Sequence, residues 1–189
     1  MPIIDRILPD LLRVDRGQWQ AARHLSILAA VTAASIPLLV LMYHLLGYDA
    51  VGMVVLTAGI VMMVTPFTLN AGVPLAVARD LFVGALFLLK VWMAVHLGGV
   101  AAPTTAWFVL CPAVAMLIGG FRPGLVWAAI VTGTMVLLFG LERAGLILPP
   151  QATPGMPLLQ LVSMLGLAGL VTLIMALAKG AGSIERRGH

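Results

Sequence analysis

Six predominantly apolar runs take up more than half of this chain, at residues 25–46, 51–69, 81–97, 104–120, 124–141 and 157–178. Each is close to the roughly 17–25 residues that a helix needs to cross the hydrocarbon of a bilayer. Inside lipid the backbone must satisfy its own hydrogen bonds, and among single segments only a helix does so. The expected fold is therefore all-α and integral to the membrane: a bundle of six transmembrane helices. Composition agrees, with 61% hydrophobic and 10% charged residues, against about 25% charged in a soluble domain. A soluble globular enzyme is excluded.

The placement of charge decides what the net charge of +4 means. Arg6, Arg13, Arg16 and Arg23 precede the first run, Arg79 lies between the second and third, and Arg122 between the fourth and fifth. Lys179, Arg186 and Arg187 follow the sixth. These short basic flanks all fall on one side of a six-span chain, so the positive-inside rule puts both termini in the cytoplasm. The location expected is the bacterial inner (cytoplasmic) membrane. A basic face for nucleic acid is not indicated. Residues 1–23 mix Asp5, Asp10 and Asp15 with four arginines and do not read as a cleaved leader. Ile3, Ile4, Ile7, Leu8, Leu11 and Leu12 recur there at helical spacing, which suits an amphipathic lead-in helix on the inner leaflet. The domain reading is a lead-in over 1–23, a bundle over 24–180 and the start of a cytoplasmic linker over 181–189.

Chemistry in such a chain is carried by the few residues that lipid does not favour. Lys90 interrupts the third run, and an intramembrane charge usually faces a bundle interior or a cavity. Snorkelling toward the interface is the plainer alternative. His44 lies near the outer end of span one and His96 near the outer end of span three. Trp92 and His96 are four apart and share a helix face. Trp107 and Cys111 form a similar stripe on span four, where Pro112 is expected to kink the helix. Together these residues can line an outward-facing pocket for a small, largely apolar ligand. Lys90 fits it less well, being about 200° around the helix from Trp92. Trp92 and Trp107 also suit an aromatic belt, and Cys111 suits simple packing. No catalytic signature, metal motif or phosphate loop appears, and no cofactor is expected.

In the last span Ala168, Thr172, Ala176 and Gly180 recur every four residues, a small-residue stripe along which another helix can approach closely. It suits packing within the bundle or a homodimer seam leading to a cytoplasmic output. The chain reaches Ser183 to Arg187 where an output helix would begin, so an excised sensor module is expected.

Three stretches carry a family resemblance: Val64, Thr65 and Pro66 with Arg79; Gly98, Gly99, Ala102 and Pro103 with Trp107 and Pro112; and Gly120, Arg122, Gly124 and Trp127. Over residues 25–178 the chain resembles the six-span sensor domains that precede bacterial histidine kinases and nucleotide cyclases. It is also similar to the sensor kinases for α-hydroxyketone autoinducers, in which a small apolar signal binds within the bundle. The resemblance implies a two-component sensor without enzymatic activity of its own, with Trp107 and Cys111 as ligand positions. Two other readings stay open: a haem or copper redox module using His44 and His96, and a small secondary transporter using Lys90.

Overall fold

The computed structural model describes residues 16–102, 104–146 and 156–185. Helices dominate these residues, and no strand occurs among them. In chain order they are α1 (Arg16–Leu45), α2 (Asp49–Thr68), α3 (Leu75–Leu97), α4 (Leu110–Gly119), α5 (Phe121–Arg143) and α6 (Met156–Glu185). Short 3-10 segments cover Leu69–Ala71, Gly99–Ala101 and Thr105–Val109. Among the described residues, five helical segments are long and apolar enough to cross a membrane: Gly17–Leu45, Asp49–Ala71, Leu75–Leu97, Phe121–Arg143 and Gln160–Ala178.

The fourth apolar run behaves differently from the span expected of it. It opens as a 3-10 helix over Thr105–Val109 and becomes α-helical only at Leu110. Its helical part runs from Thr105 to Gly119, roughly 25 Å long, against a hydrocarbon thickness of about 30 Å. Pro112 supplies the physical reason. It has no N–H to offer the Phe108 carbonyl, which takes one bond from any α-helix continued back through this point, although α1 and α2 run on through Pro37 and Pro66. The proline occupies the first turn of α4, where a missing donor costs little, rather than kinking a continuous span.

The internal contacts divide the chain into two units, one of residues up to Leu89 with Leu117–Gly120, the other of Lys90–Met116 and residues from Phe121 onward. In the first unit α1 and α2 form an antiparallel hairpin. Its turn needs a glycine. Gly47 has φ +77°, its N–H donates to His44 O, and the Tyr48 N–H donates to Tyr43 O, the paired bonds of a Schellman cap. Along the hairpin the helices approach at small residues, as expected where packing rather than hydrophobicity drives association. A Cβ on Gly59 would lie 2.6 Å from Ile36 Cγ1 and closer still to its Cδ1.

Helix α3 shows how the sequence sorts its faces. Ala78, Phe82, Leu86, Leu89, Met93 and Leu97 are buried, while Val77, Leu81, Leu88 and Val95 are exposed. Large apolar side chains left outward on every long helix suit lipid rather than water. Hydroxyls within the helices are satisfied locally: Ser26, Thr32, Ser35, Thr57, Thr65, Thr134 and Thr172 each donate to the carbonyl four residues earlier. This back-bonding keeps a polar group from costing its full desolvation.

Of the expected lead-in, residues 1–15 lie outside the described residues, and Arg16–Arg23 are the opening turns of α1. The expected linker starts inside α6, and residues 186–189 also lie outside.

Candidate functional site

Within the second unit one cluster stands apart from simple packing. Lys90 lies on the buried stripe of α3, continuous with Met93, Ala94 and Leu97, and is only 7% exposed. Its Nζ sits 4.6 Å from the centre of the Trp107 ring, within the range of a cation–π contact. The same nitrogen lies 3.9 Å from Met93 Sδ, and a thioether is a weak acceptor. An ammonium carries three donors, yet among the described residues no carboxylate pairs with it.

Trp107 is held from the other side by α6. Its indole N–H donates to Ser163 Oγ at 2.6 Å, and Ser163 is itself buried. The benzo edge of the ring lies over Gly166, where a Cβ would come within 3.1 Å of Cζ2 and 3.2 Å of Cη2. A larger residue would push the ring away, so the glycine admits the indole between the lysine and α6. The local backbone serves the same end. In the 3-10 segment the Trp107 N–H donates to Thr104 O, and with three residues per turn the two side chains fall on one side. Thr104 is 3% exposed, and among the described residues nothing hydrogen-bonds its hydroxyl. It thus differs from the back-bonded hydroxyls of the long helices.

The loop before this segment is pinned from α5. Glu142 accepts a hydrogen bond from the Val100 N–H at 3.1 Å, and Thr105 Oγ1 donates to Gly99 O at 3.2 Å. Cys111, one helical turn beyond Trp107, is fully buried with its thiol free.

Within the second unit the expected residues fall in two places. Trp92 and His96 stack on each other, with ring centroids 4.1 Å apart and planes 19° from parallel. His96 is exposed, and its Nδ1 pairs with Trp92 O at 2.8 Å. This pair lies on a different face of α3 from Lys90, because two residues of helix turn the chain by about 200°. His44 belongs to the first unit, where it is exposed and its Nδ1 pairs with Asp49 Oδ1 at 2.6 Å. Among the described residues no three His, Cys, Asp or Glu side chains gather to hold a metal ion. On α6 Ala168, Thr172 and Ala176 are exposed along the helix, and Gly180 continues their register.

No protein-family model matches the chain, and neither does a curated protein or a solved structure.

Sequence reasoning named Lys90 and Trp107 for one pocket, with Lys90 the poorer fit, and it missed Thr104, Met93, Ser163 and Gly166. Ser163 carried a usable signal as an isolated hydroxyl in an apolar run. The pairing of residues 90, 107 and 163 carried none, since these positions come from separate segments with no shared periodicity.

Proposed function

We propose that this chain is the membrane-embedded sensing part of a receptor, binding a small, largely apolar ligand at Lys90 and Trp107 and relaying that event through α6. The observation that carries the reading is the position of Trp107. It touches the buried ammonium with its ring face and an α6 hydroxyl with its N–H. A ligand that competes for the ring or the ammonium therefore acts on the bond that anchors α6. Binding shifts an equilibrium only through differential affinity for two packings, and the Trp107–Ser163 bond is a discrete contact that one packing keeps and the other loses. The small residues Ala168, Thr172 and Ala176 leave α6 a face for a second copy, and its last turns lead toward a cytoplasmic output.

In this reading the 3-10 segment and α4 together make the sixth crossing, with local thinning of the bilayer closing the shortfall in length. Six crossings put both ends on the same side, as the arginine and lysine placement requires for the bacterial inner membrane. Five would put them on opposite sides.

The test is untargeted mass spectrometry of small molecules that co-purify with the gently solubilised protein, compared with Trp107→Ala. One apolar metabolite enriched in the wild type and lost in the variant is expected. Bulk lipid alone, equal in both, refutes the site. Transport through Lys90 is the second reading, favoured by the same buried ammonium, which meets no carboxylate among the described residues. Flux in proteoliposomes that disappears in Lys90→Met would select it.

A further inference from the structure

We infer that the ligand of the Lys90–Trp107 site carries a single anionic head group on its apolar body, and that Lys90 is its counter-charge. The inference rests on the ligand-binding reading above and adds the chemical class. Three features of the second unit converge on it. The first is the ammonium itself, 93% buried by its 7% exposure, whose contacts are an aromatic face and a thioether. Neither accepts a hydrogen bond well. A buried charge is costly unless it is paired and hydrogen-bonded, and the described residues bring no carboxylate to it. The second is Thr104, whose hydroxyl is buried without a partner among the described residues, one 3-10 turn from Trp107. A carboxylate has two oxygens, and a hydroxyl donor one 3-10 turn from the indole that the ammonium faces suits the second of them. The third is what the ammonium touches: the indole face and Met93, both apolar, suit a hydrocarbon chain beside the head.

Depth narrows the class further. Lys90 lies seven residues before the end of α3 at Leu97, about 10 Å of helix rise. Its contact with Met93 directs the ammonium toward that end without taking it out of the buried region. A phospholipid head would have to leave the interface to reach it. A single-chain acid meets the same ammonium at lower cost, so the favoured ligand is a monocarboxylate with a medium-length apolar tail. An anionic lipid shares the head-group chemistry and is separated from it by the experiment.

The experiment uses the full chain in phosphatidylcholine nanodiscs. Saturable binding of decanoate and of uncharged decan-1-ol is measured by quenching of tryptophan fluorescence, in wild type, Lys90→Met and Lys90→Gln. Wild type is expected to prefer decanoate by about tenfold or more, the scale of one hydrogen bond to a charged group. Both variants are expected to lose the preference while still binding decan-1-ol. Two variants are used because methionine removes polarity and charge, whereas glutamine removes only charge; far-UV circular dichroism reports that each is folded. Native mass spectrometry after exchange into phosphatidylglycerol forms the second arm. Retention of that lipid by wild type and not by Lys90→Met assigns the anionic head to lipid and supports the counter-charge role. Equal binding of decanoate and decan-1-ol by wild type, with no lipid retained, overturns the inference and leaves an apolar site standing. Saturable binding of neither probe, with no lipid retained, overturns both the inference and the reading beneath it.

Discussion

Ser163→Ala removes the oxygen to which the Trp107 indole donates and leaves the rest of the ring's surroundings in place. The bond is short, 2.6 Å against a usual N–H···O separation of about 2.9–3.0 Å, and both groups are at least half-buried. Interhelical hydrogen bonds in membrane proteins average about 0.6 kcal/mol and reach about 1.7. The short distance and the burial of Ser163 place this one toward the upper part, at about 1 kcal/mol or somewhat more. Trp107→Phe loses the same bond together with the benzo edge that lies over Gly166, so alone it costs more. The double variant should then be less destabilised than the two singles combined, by about 1 kcal/mol. Reversible denaturation in mixed micelles, followed by far-UV circular dichroism across the four proteins, measures that coupling. A coupling under about 0.3 kcal/mol, inside ordinary additivity, would refute the claim that this bond ties the 3-10 segment to α6. A functional consequence follows from the same geometry. Ser163→Ala favours the packing without the bond, so ligand affinity should rise, by up to about fivefold for about 1 kcal/mol, while any conformational response of α6 falls.

Gly166→Ala places a methyl against the indole edge and should tilt the ring off Lys90, weakening ligand binding several-fold with the helix content unchanged; titration of the co-purified ligand checks it. Gly59→Ala should destabilise the α1–α2 hairpin by about 1–3 kcal/mol through overpacking on Ile36. Ile36→Ala in the same chain should relieve the clash, so the pair is strongly non-additive in thermal unfolding. Glu142→Gln should weaken the charge-assisted hold on the Val100 amide, and hydrogen exchange at residues 98–102 should rise without change in α1 or α2. Cysteines placed singly at Gly17 and Gly182 should both label only from the cytoplasmic face. Labelling from opposite faces would mean five crossings and would remove the fourth run from the count.

Much of the architecture was legible because lipid leaves the backbone so few choices. An apolar run of sufficient length becomes a helix almost regardless of detail, and α1, α2, α3, α5 and α6 lie where hydropathy places them. Their ends were less legible. α1 begins nine residues before its apolar run and α6 extends beyond its own, since helix propensity carries past the hydrophobic boundary. The fourth run was misjudged in form because hydropathy does not register the effect of one missing N–H. Pro112 was visible, but whether it kinks a helix or opens one depends on where the preceding 3-10 turns end.

The site divides along the same line. Periodicity alone put Trp92 and His96 on one face of α3 and Lys90 on another, and the stacked rings and the buried ammonium keep that separation. What surrounds Lys90 came only from tertiary structure. The Trp107 ring, the Ser163 hydroxyl and the opening at Gly166 come from three segments of chain, and nothing local to any of them encodes the meeting. Helix type and facing are set by interactions between near neighbours in sequence. The partner of a buried charge is set by which distant segments pack beside it.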